Sequence, residues 1–470
     1  DNKQSVQAFA KSNLQLQANE IQTIAGNAFS IYNIDNQGFI ITSNSKNLPP
    51  ILAYSDNSIF PSLDDAPENI KWWMEQYEEM SRYADEHPEL TPDFIKQQWN
   101  DFENGRLLFN KKGVNPLVHT LWNQDCYYNE YCPTAWGGPC NRVYAGCVAC
   151  AMAQVMKYHN HPKQGYGTHS YHHNTYGQQT ANFNETAYDW DNMPDEIFSH
   201  NDAIATLMYH CGVSVNMNYS PSGSGAQSKD VETALRSYFG YCSATYRERS
   251  KYEFEEWRDM VRNELDNARP IYYSGANSSA GHAFVLDGYN ASDYYHFNWG
   301  WSGYSNGYYS LYDVNGWTNS QAMVVNIRPM VINSDENGII YVSPDGQGDG
   351  SSWENATSEL HFANARSIDG TRIWAKKGTY YGDDTDPENA FSITYGNRIY
   401  GSFNGDEAPD YDLSQRDFVN NASILDGQSA KRVLNQASAF NAGTAAVWDG
   451  FTITNGATGS GAGVYLNDYV

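Results

Sequence analysis

Cys147 stands directly after Gly146 and opens the run Val148-Ala149-Cys150-Ala151-Met152-Ala153-Gln154-Val155-Met156-Lys157-Tyr158. Val148, Ala151, Met152 and Val155 fall at i, i+3, i+4 and i+7, the stripe of a helix packed on a core. The glycine breaks the chain ahead of the thiol, so Cys147 is expected at the helix N-terminus. There the helix dipole and the free backbone N–H groups favour thiolate over thiol. A thiolate so placed attacks a carbonyl carbon, and the same N–H groups can hold the oxyanion that forms. A buried structural cysteine is the plain alternative. It suits Cys150 better, because that residue lies about one turn inside the helix.

A thiolate needs a proton partner, and the chain offers 12 histidines. His169, His172 and His173 form a polar cluster that reads as a solvated loop rather than a metal site. His282 differs: it follows Gly281 and begins Ala283-Phe284-Val285-Leu286, an apolar strand run. A polar turn from Tyr289 to Asp293 comes next, then Tyr294-Tyr295-His296-Phe297-Asn298-Trp299. Paired as a hairpin centred on residue 290, the two runs set His282 opposite Asn298 within about one residue of register. An Asn amide oxygen accepting from one imidazole nitrogen fixes the ring and leaves the other nitrogen for the thiol. A core histidine is the bland reading; the cross-strand Asn and the helix-start Cys outweigh it. Trp299 and Trp301 flank Gly300 directly afterwards, and an indole over the His–Asn contact would exclude water from it.

The elements that must position these groups fall into three segments. Residues 1–111 read as α+β. Strands are expected at Phe29 to Ile34, at Phe39-Ile40-Ile41 after a turn at Asn36-Gln37-Gly38, and at Ile51 to Tyr54. Helical patterns follow from Trp72 to Ala84 and from Asp93 to Trp99, with no convergent set of catalytic residue types. Residues 112–332 mix helix and strand and carry all the candidate chemistry. Residues 336–470 change character to short β runs between Gly, Asn and Asp turns, centred on Ile373, Ile399, Ile424 and Ile453. That rhythm predicts a parallel β-helix, with a sandwich module as the alternative. Gly463-Val464-Tyr465-Leu466 reads as one more rung of a truncated array.

Acidic residues number 55 against 29 basic ones, a formal charge of -26. Such a surface repels phosphate backbones and anionic lipid, so neither nucleic acid nor a membrane surface is an expected partner. No apolar run approaches the roughly 20 residues of a membrane span. Among the seven cysteines, Cys126, Cys132 and Cys140 lie in a Gly-, Pro- and Tyr-rich stretch suited to disulfides, and Cys211 with Cys242 is a second expected pair. Cys147 and Cys150 form a Cys-x-x-Cys couple with no second couple to complete a zinc site, so neither metal nor cofactor is expected.

Taken together, Gly146-Cys147-Val148-Ala149, Ala153 to Asn160, Gly281 to Gly288 and Tyr295 to Trp301 resemble the streptopain/interpain A family of papain-clan cysteine proteases. The resemblance is dense over about residues 115 to 330 and looser over residues 1–111. It implies a papain-like α+β protease domain preceded by a small inhibitory propeptide domain and followed by a β-rich one. It also implies a zymogen that hydrolyses protein or peptide substrates, with a secreted or cell-surface location and its own prodomain as intramolecular inhibitor. Gln124 would supply an oxyanion donor, and Trp299 would cover the His–Asn pair. Met217 to Ser222 looks like the family's substrate-binding loop, and Gly281 like its backbone contact beside the histidine. A hydrophobic side chain two residues before the scissile bond would be preferred, and activation would cut near Lys111-Lys112-Gly113. The extra Cys126, Cys132 and Cys140 depart from the family pattern beside Gln124, as does Cys150. Acyl transfer by the same triad, or an adhesin or glycan binder built on the C-terminal segment, are the competing functions.

Overall fold

Residue parity explains the N-terminal architecture. Helix α1 (Lys3–Phe9) is followed by strands β1 (Ile21–Ala25), β2 (Phe29–Ile34), β3 (Gly38–Ser43) and β4 (Ile51–Ser55), paired antiparallel in sequence. Along β2 and β3, Ile31, Phe39 and Ile41 enter one apolar core while Tyr32, Ile34 and Ile40 enter another. The period of two thus makes a sheet buried on both faces. Helix α2 (Glu68–Glu86) covers the first face through Ile70, Trp72, Trp73, Tyr77 and Met80. Helix α3 (Asp93–Glu103) and α1 cover the second through Ile95, Trp99, Phe102, Val6 and Phe9. Both α2 and α3 run further than the periodic pattern predicts.

The computed structural model describes residues 2–276, 281–314, 320–367, 370–383, 386, 388–393, 396–436 and 445–466. The chain divides into two units between Pro329 and Met330. In the first, the strands after α3 are β5 (Gly113–Val114), a hairpin of β6 (Thr168–His173) and β7 (Gly177–Asn182), and then β8 (Tyr241–Glu248) to β13. The last five are β9 (Ile271–Ala276), β10 (Gly281–Asn290), β11 (Tyr294–Asn298), β12 (Gly307–Ser310) and β13 (Gln321–Pro329). β4 pairs with β12, so the N-terminal strands continue one sheet of order β1-β2-β3-β4-β12-β11-β10-β9-β13-β8. Helix α4 (Cys147–His159) lies on one face of its second half and α2 on the other. β10 alternates between them: Ala283 and Val285 enter the α4 core, Phe284 and Leu286 the α2 core.

The second unit holds three parallel sheets among its described residues. The first contains β14 (Ile339–Val342), β15 (Arg372–Lys376), β18 (Arg398–Phe403) and β21 (Val447–Asp449). A second contains β16 (Gly378–Tyr380), β19 (Ser423–Asp426) and β22 (Phe451–Thr454), and a third β17 (Asn389–Ser392), β20 (Arg432–Gln436) and β23 (Val464–Leu466). From β15 onward the chain visits the three sheets in turn. Ile373 pairs with Ile399, but Ile424 pairs with Thr379 and Thr452 in a different sheet. The even spacing of isoleucines therefore does not trace one stack. The long excursion between β18 and β19, carrying the turn Leu413–Gln415, is what delays Ile424 into the next sheet.

Candidate active site

Cys147 is the first residue of α4, and Gly146 before it has φ of +98°. A side chain at Gly146 would strike the Met217 thioether at 2.8 Å, so both backbone angle and space demand glycine. Burial pushes the half-buried Cys147 thiol up, while backbone N–H groups of Ala283, Val148 and Cys147 itself pull it back down. The sulfur thus faces the residue immediately after His282. Loop 217–224 is seated on the same corner: Tyr144 N–H donates to Ser220 O at 3.3 Å and Ser224 Oγ to Tyr144 O at 2.6 Å. Ser222 is exposed at its tip and bonds Ser220 Oγ at 2.9 Å.

Gln124 is buried two residues before the disulfide Cys126–Cys140. Its carbonyl accepts from Ala145 N–H at 2.9 Å, and its Nε2 donates to Gly300 O at 3.4 Å. Cys132 is a free thiol in this brace. Cys211 and Cys242 are not bonded to each other, contrary to the expected pair. They lie on different elements, with the Cys211 thiol against Met156 Sδ at 3.7 Å and that of Cys242 against Arg328 O at 3.4 Å.

The hairpin register differs from the expected one by three residues. Asn298 lies opposite Val285, not His282. The cause is the turn: Asn290 Oδ1 accepts from the N–H groups of Ser292 and Tyr294, at 2.9 and 3.3 Å, which moves the reversal beyond residue 290. A register shift between Leu286 and Gly288 accompanies it, with the Asp287 carboxylate held by His296 Nδ1 at 2.6 Å and Val118 N–H at 2.8 Å. Asn298, 1% exposed, donates to Thr120 O at 2.7 Å and accepts from Gly300 N–H at 3.1 Å. Among the described residues, no hydrogen bond joins the His282 ring to Asn298 or Cys147.

What His282 does touch comes from the N-terminal segment. Its ring lies 5.8 Å from the Trp72 indole at an interplanar angle of 31°. The indole occupies the space over Gly275, which pairs with His282, and any side chain there would meet it at 2.1 Å. His282 therefore shares the α2 face of β10 with Phe284 and Leu286, the face away from α4. Burial lowers its pKa to about 4, with the Glu68 carboxylate pulling the other way. Trp299 does not cover this ring. It packs among Phe284 and Tyr309, at 4.5 and 5.2 Å, and its Nε1 donates to Ser305 O at 3.1 Å. Asn69 bridges α2 to this strand end, donating to Trp299 O at 2.9 Å and accepting from Trp301 Nε1 at 3.0 Å.

Sequence reasoning did not single out Asn69, Trp72 or Gly275. The signal available was the Trp72-Trp73 doublet, two indoles on a helix with only one core of its own to fill. Gly281 is exposed at the start of β10. Lys112 is exposed, and Gly113 pairs with Asn290 as a two-residue edge strand, so the expected linker is extended backbone held to β10. His169 and His173 belong to a strand, not a loop, and bond Asn216 and Asn218 at 2.8 and 3.1 Å.

A cysteine at a helix start, turned toward a strand that carries a histidine, defines a thiol hydrolase of the papain type. The chain belongs to the peptidase C10 family, whose model matches residues 122–309, and a Spi protease inhibitor model matches residues 1–81. It is 31% identical over 339 residues to streptopain of Streptococcus pyogenes, 65% of this chain and 82% of that protein. It is 33% identical over 317 residues to the thiol protease/hemagglutinin PrtT of Porphyromonas gingivalis, covering 63% of this chain but only 36% of PrtT. The solved prointerpain A fragment of Prevotella intermedia matches with a TM-score of 0.56 and 32% identity, over 66% of this chain and 99% of that one. The protein is thus a cysteine peptidase with an N-terminal segment of the protease-inhibitor type.

Proposed function

We propose that the chain is a secreted cysteine endopeptidase made as a zymogen. Residues 1–111 act as an inhibitory prodomain, residues 112–332 as the protease and residues 336–470 as an accessory parallel β-helix. Cys147 attacks the peptide carbonyl, His282 takes and returns the proton, and Asn298 orients the imidazole. Gln124, beside the helix start, donates to the oxyanion with the backbone N–H groups. The observation that carries this reading is the Cys147 sulfur at the start of α4, in reach of the Ala283 N–H next to His282.

The contact of Trp72 with His282 supports latency, because a ring held on the α2 face cannot pair with the thiol on the α4 face. The exposed extended backbone at Lys112 and Gly113 supports cleavage there. Met217, packed against Gly146, supports an apolar pocket for the side chain two residues before the scissile bond, with Ser222 and Gly281 as substrate contacts. The circuit of three parallel sheets supports the β-helix, and Trp299 is reassigned from covering the pair to the core beneath it. The test is release of amino termini from casein by purified protein. Wild type should release them and Cys147→Ala should not, whereas cleavage by a verified Cys147→Ala sample would remove the assignment.

A further inference from the structure

Cys150 has no part in the hydrolytic reaction, yet the couple Cys147-x-x-Cys150 places this second thiol one helical turn from the nucleophile. Both residues are free thiols at the start of α4. Ideal helix geometry sets Cα atoms three residues apart at about 5 Å, inside the separation of about 4.4–6.8 Å that a disulfide spans. Cys147 is half-buried and Cys150 is 1% exposed, so the first is the more accessible of the two.

Cys150 is also held toward the reacting corner rather than lost in the core. Its Sγ lies 3.9 Å from the Gly300 carbonyl oxygen, which also accepts from Gln124 Nε2. Gly300 has φ of +73°, and a side chain there would come within 2.9 Å of the Cys150 sulfur. The segment after Asn298 therefore leaves room around this thiol. Of the remaining cysteines outside the disulfide, Cys211 and Cys242 lie on other elements and Cys132 lies in the loop before α4.

We propose that Cys147 and Cys150 form a reversible disulfide when the enzyme meets a peroxide, with Cys150 as the resolving thiol. This rests on the assignment of Cys147 as nucleophile only for its effect on activity. The Cys147 thiolate attacks one peroxide oxygen; the S–O bond forms, the O–O bond breaks, and hydroxide leaves to take up a proton as water. Sulfur loses two electrons and the peroxide gains them, giving the sulfenic acid. The Cys150 thiol then gives up its proton and attacks the Cys147 sulfur. The S–S bond forms, the S–O bond breaks, and a second water leaves. A dithiol reverses the change. The disulfide keeps the nucleophile from the irreversible sulfinic and sulfonic acids.

The peptide Val143–Lys157, bounded by Arg142 and Lys157 for trypsin, contains these two cysteines and no other. After hydrogen peroxide, alkylation and non-reducing digestion, that peptide from the full chain should lose two hydrogens and carry no alkyl group. Oxygen added at Met152 or Met156 raises the mass and is distinguished. In Cys150→Ala and in Cys150→Ser the peptide should instead gain two or three oxygens at Cys147. After peroxide and then dithiothreitol, the self-processed wild type should recover peptidase activity about tenfold more completely than either variant. The proposal is overturned if Cys150 stays alkylatable in oxidised wild type, if Cys147 joins another cysteine, or if wild type and variants recover equally. The mass readout needs no catalysis, so it stands apart from failure of Cys147 as the nucleophile.

Discussion

At Cys147, burial and the helix start act in opposite directions on the thiol, and at His282 burial outweighs the opposing Glu68 carboxylate. If the two transfer one proton between them as proposed, His282→Ala should cost nearly as much as loss of the thiol, about 10³-fold or more in kcat/KM. Asn298 touches no reacting atom; a hydrogen bond to a charged partner is worth about 1.5–3 kcal/mol. Asn298→Ala should therefore slow peptide hydrolysis by about 10- to 100-fold, measured on processed enzyme with one peptide. Equal losses for all three would deny Asn298 its orienting role. The His282 pKa near 4 beside Trp72, against 6.5 for a free imidazole, fixes the sign of a pH effect. The docked ring is neutral, so its contribution to docking is complete above 6.5. As pH falls from 6.5 toward 4, protons bind the undocked ring preferentially and docking weakens, by up to about tenfold per pH unit. Affinity of the severed N-terminal segment for Cys147→Ala enzyme should fall over this range; a constant affinity would contradict the depressed pKa.

In the proposed zymogen, helix α2 is the element that would convert a docked segment into an inhibitor. Trp72 packs tilted against His282, Asn69 grips Trp299 and Trp301, and Tyr77 Oη donates to Leu52 O and Ser310 O, both at 2.9 Å. Replacing a buried indole by Ala costs about 3–5 kcal/mol, and part of that falls on the latch. Trp72→Ala in the full chain should therefore process itself at least about tenfold faster than wild type, followed by gel densitometry of the cut product. An unchanged rate would move inhibition to another contact. Helix α4 with Cys147 at its start and the strand that carries His282 were legible, because a glycine break, a four-residue apolar stripe and a single histidine-led strand are local signals. The hairpin register was not: Asn290 as a turn former and the shift at Asp287 each move the pairing, and symmetry about residue 290 contains neither. β1 and α1 were missed because their half-exposed residues lack a strong period, and the Cys211–Cys242 pair failed because spacing alone does not bring two elements together.

Over the whole molecule, one sheet runs from the N-terminal strands into the catalytic half. Tyr308 and Tyr309 of β12 pair with Tyr54 and Ala53 of β4. A cut near Lys112 severs the chain but leaves this ladder and the α2 core intact, so activity should track release of the segment. No helix among the described residues is long and apolar enough to cross a membrane. The proposed catalytic groups all lie in the unit that ends at Pro329. Deleting residues 330–470 should therefore leave casein hydrolysis within about twofold of the full chain at equal active-site concentration; collapse in a folded truncated protein would make the second unit part of the protease.

The central claim is that Cys147 is a peptidase nucleophile kept from its histidine by residues 1–111. Labelling with a peptidyl electrophile, mapped by mass spectrometry on the full chain before and after loss of the N-terminal segment, tests it most directly. The account predicts one label per chain, on Cys147 within Val143–Lys157, appearing only as the segment is released. Equal labelling of uncut protein, or a label on another cysteine, would contradict it.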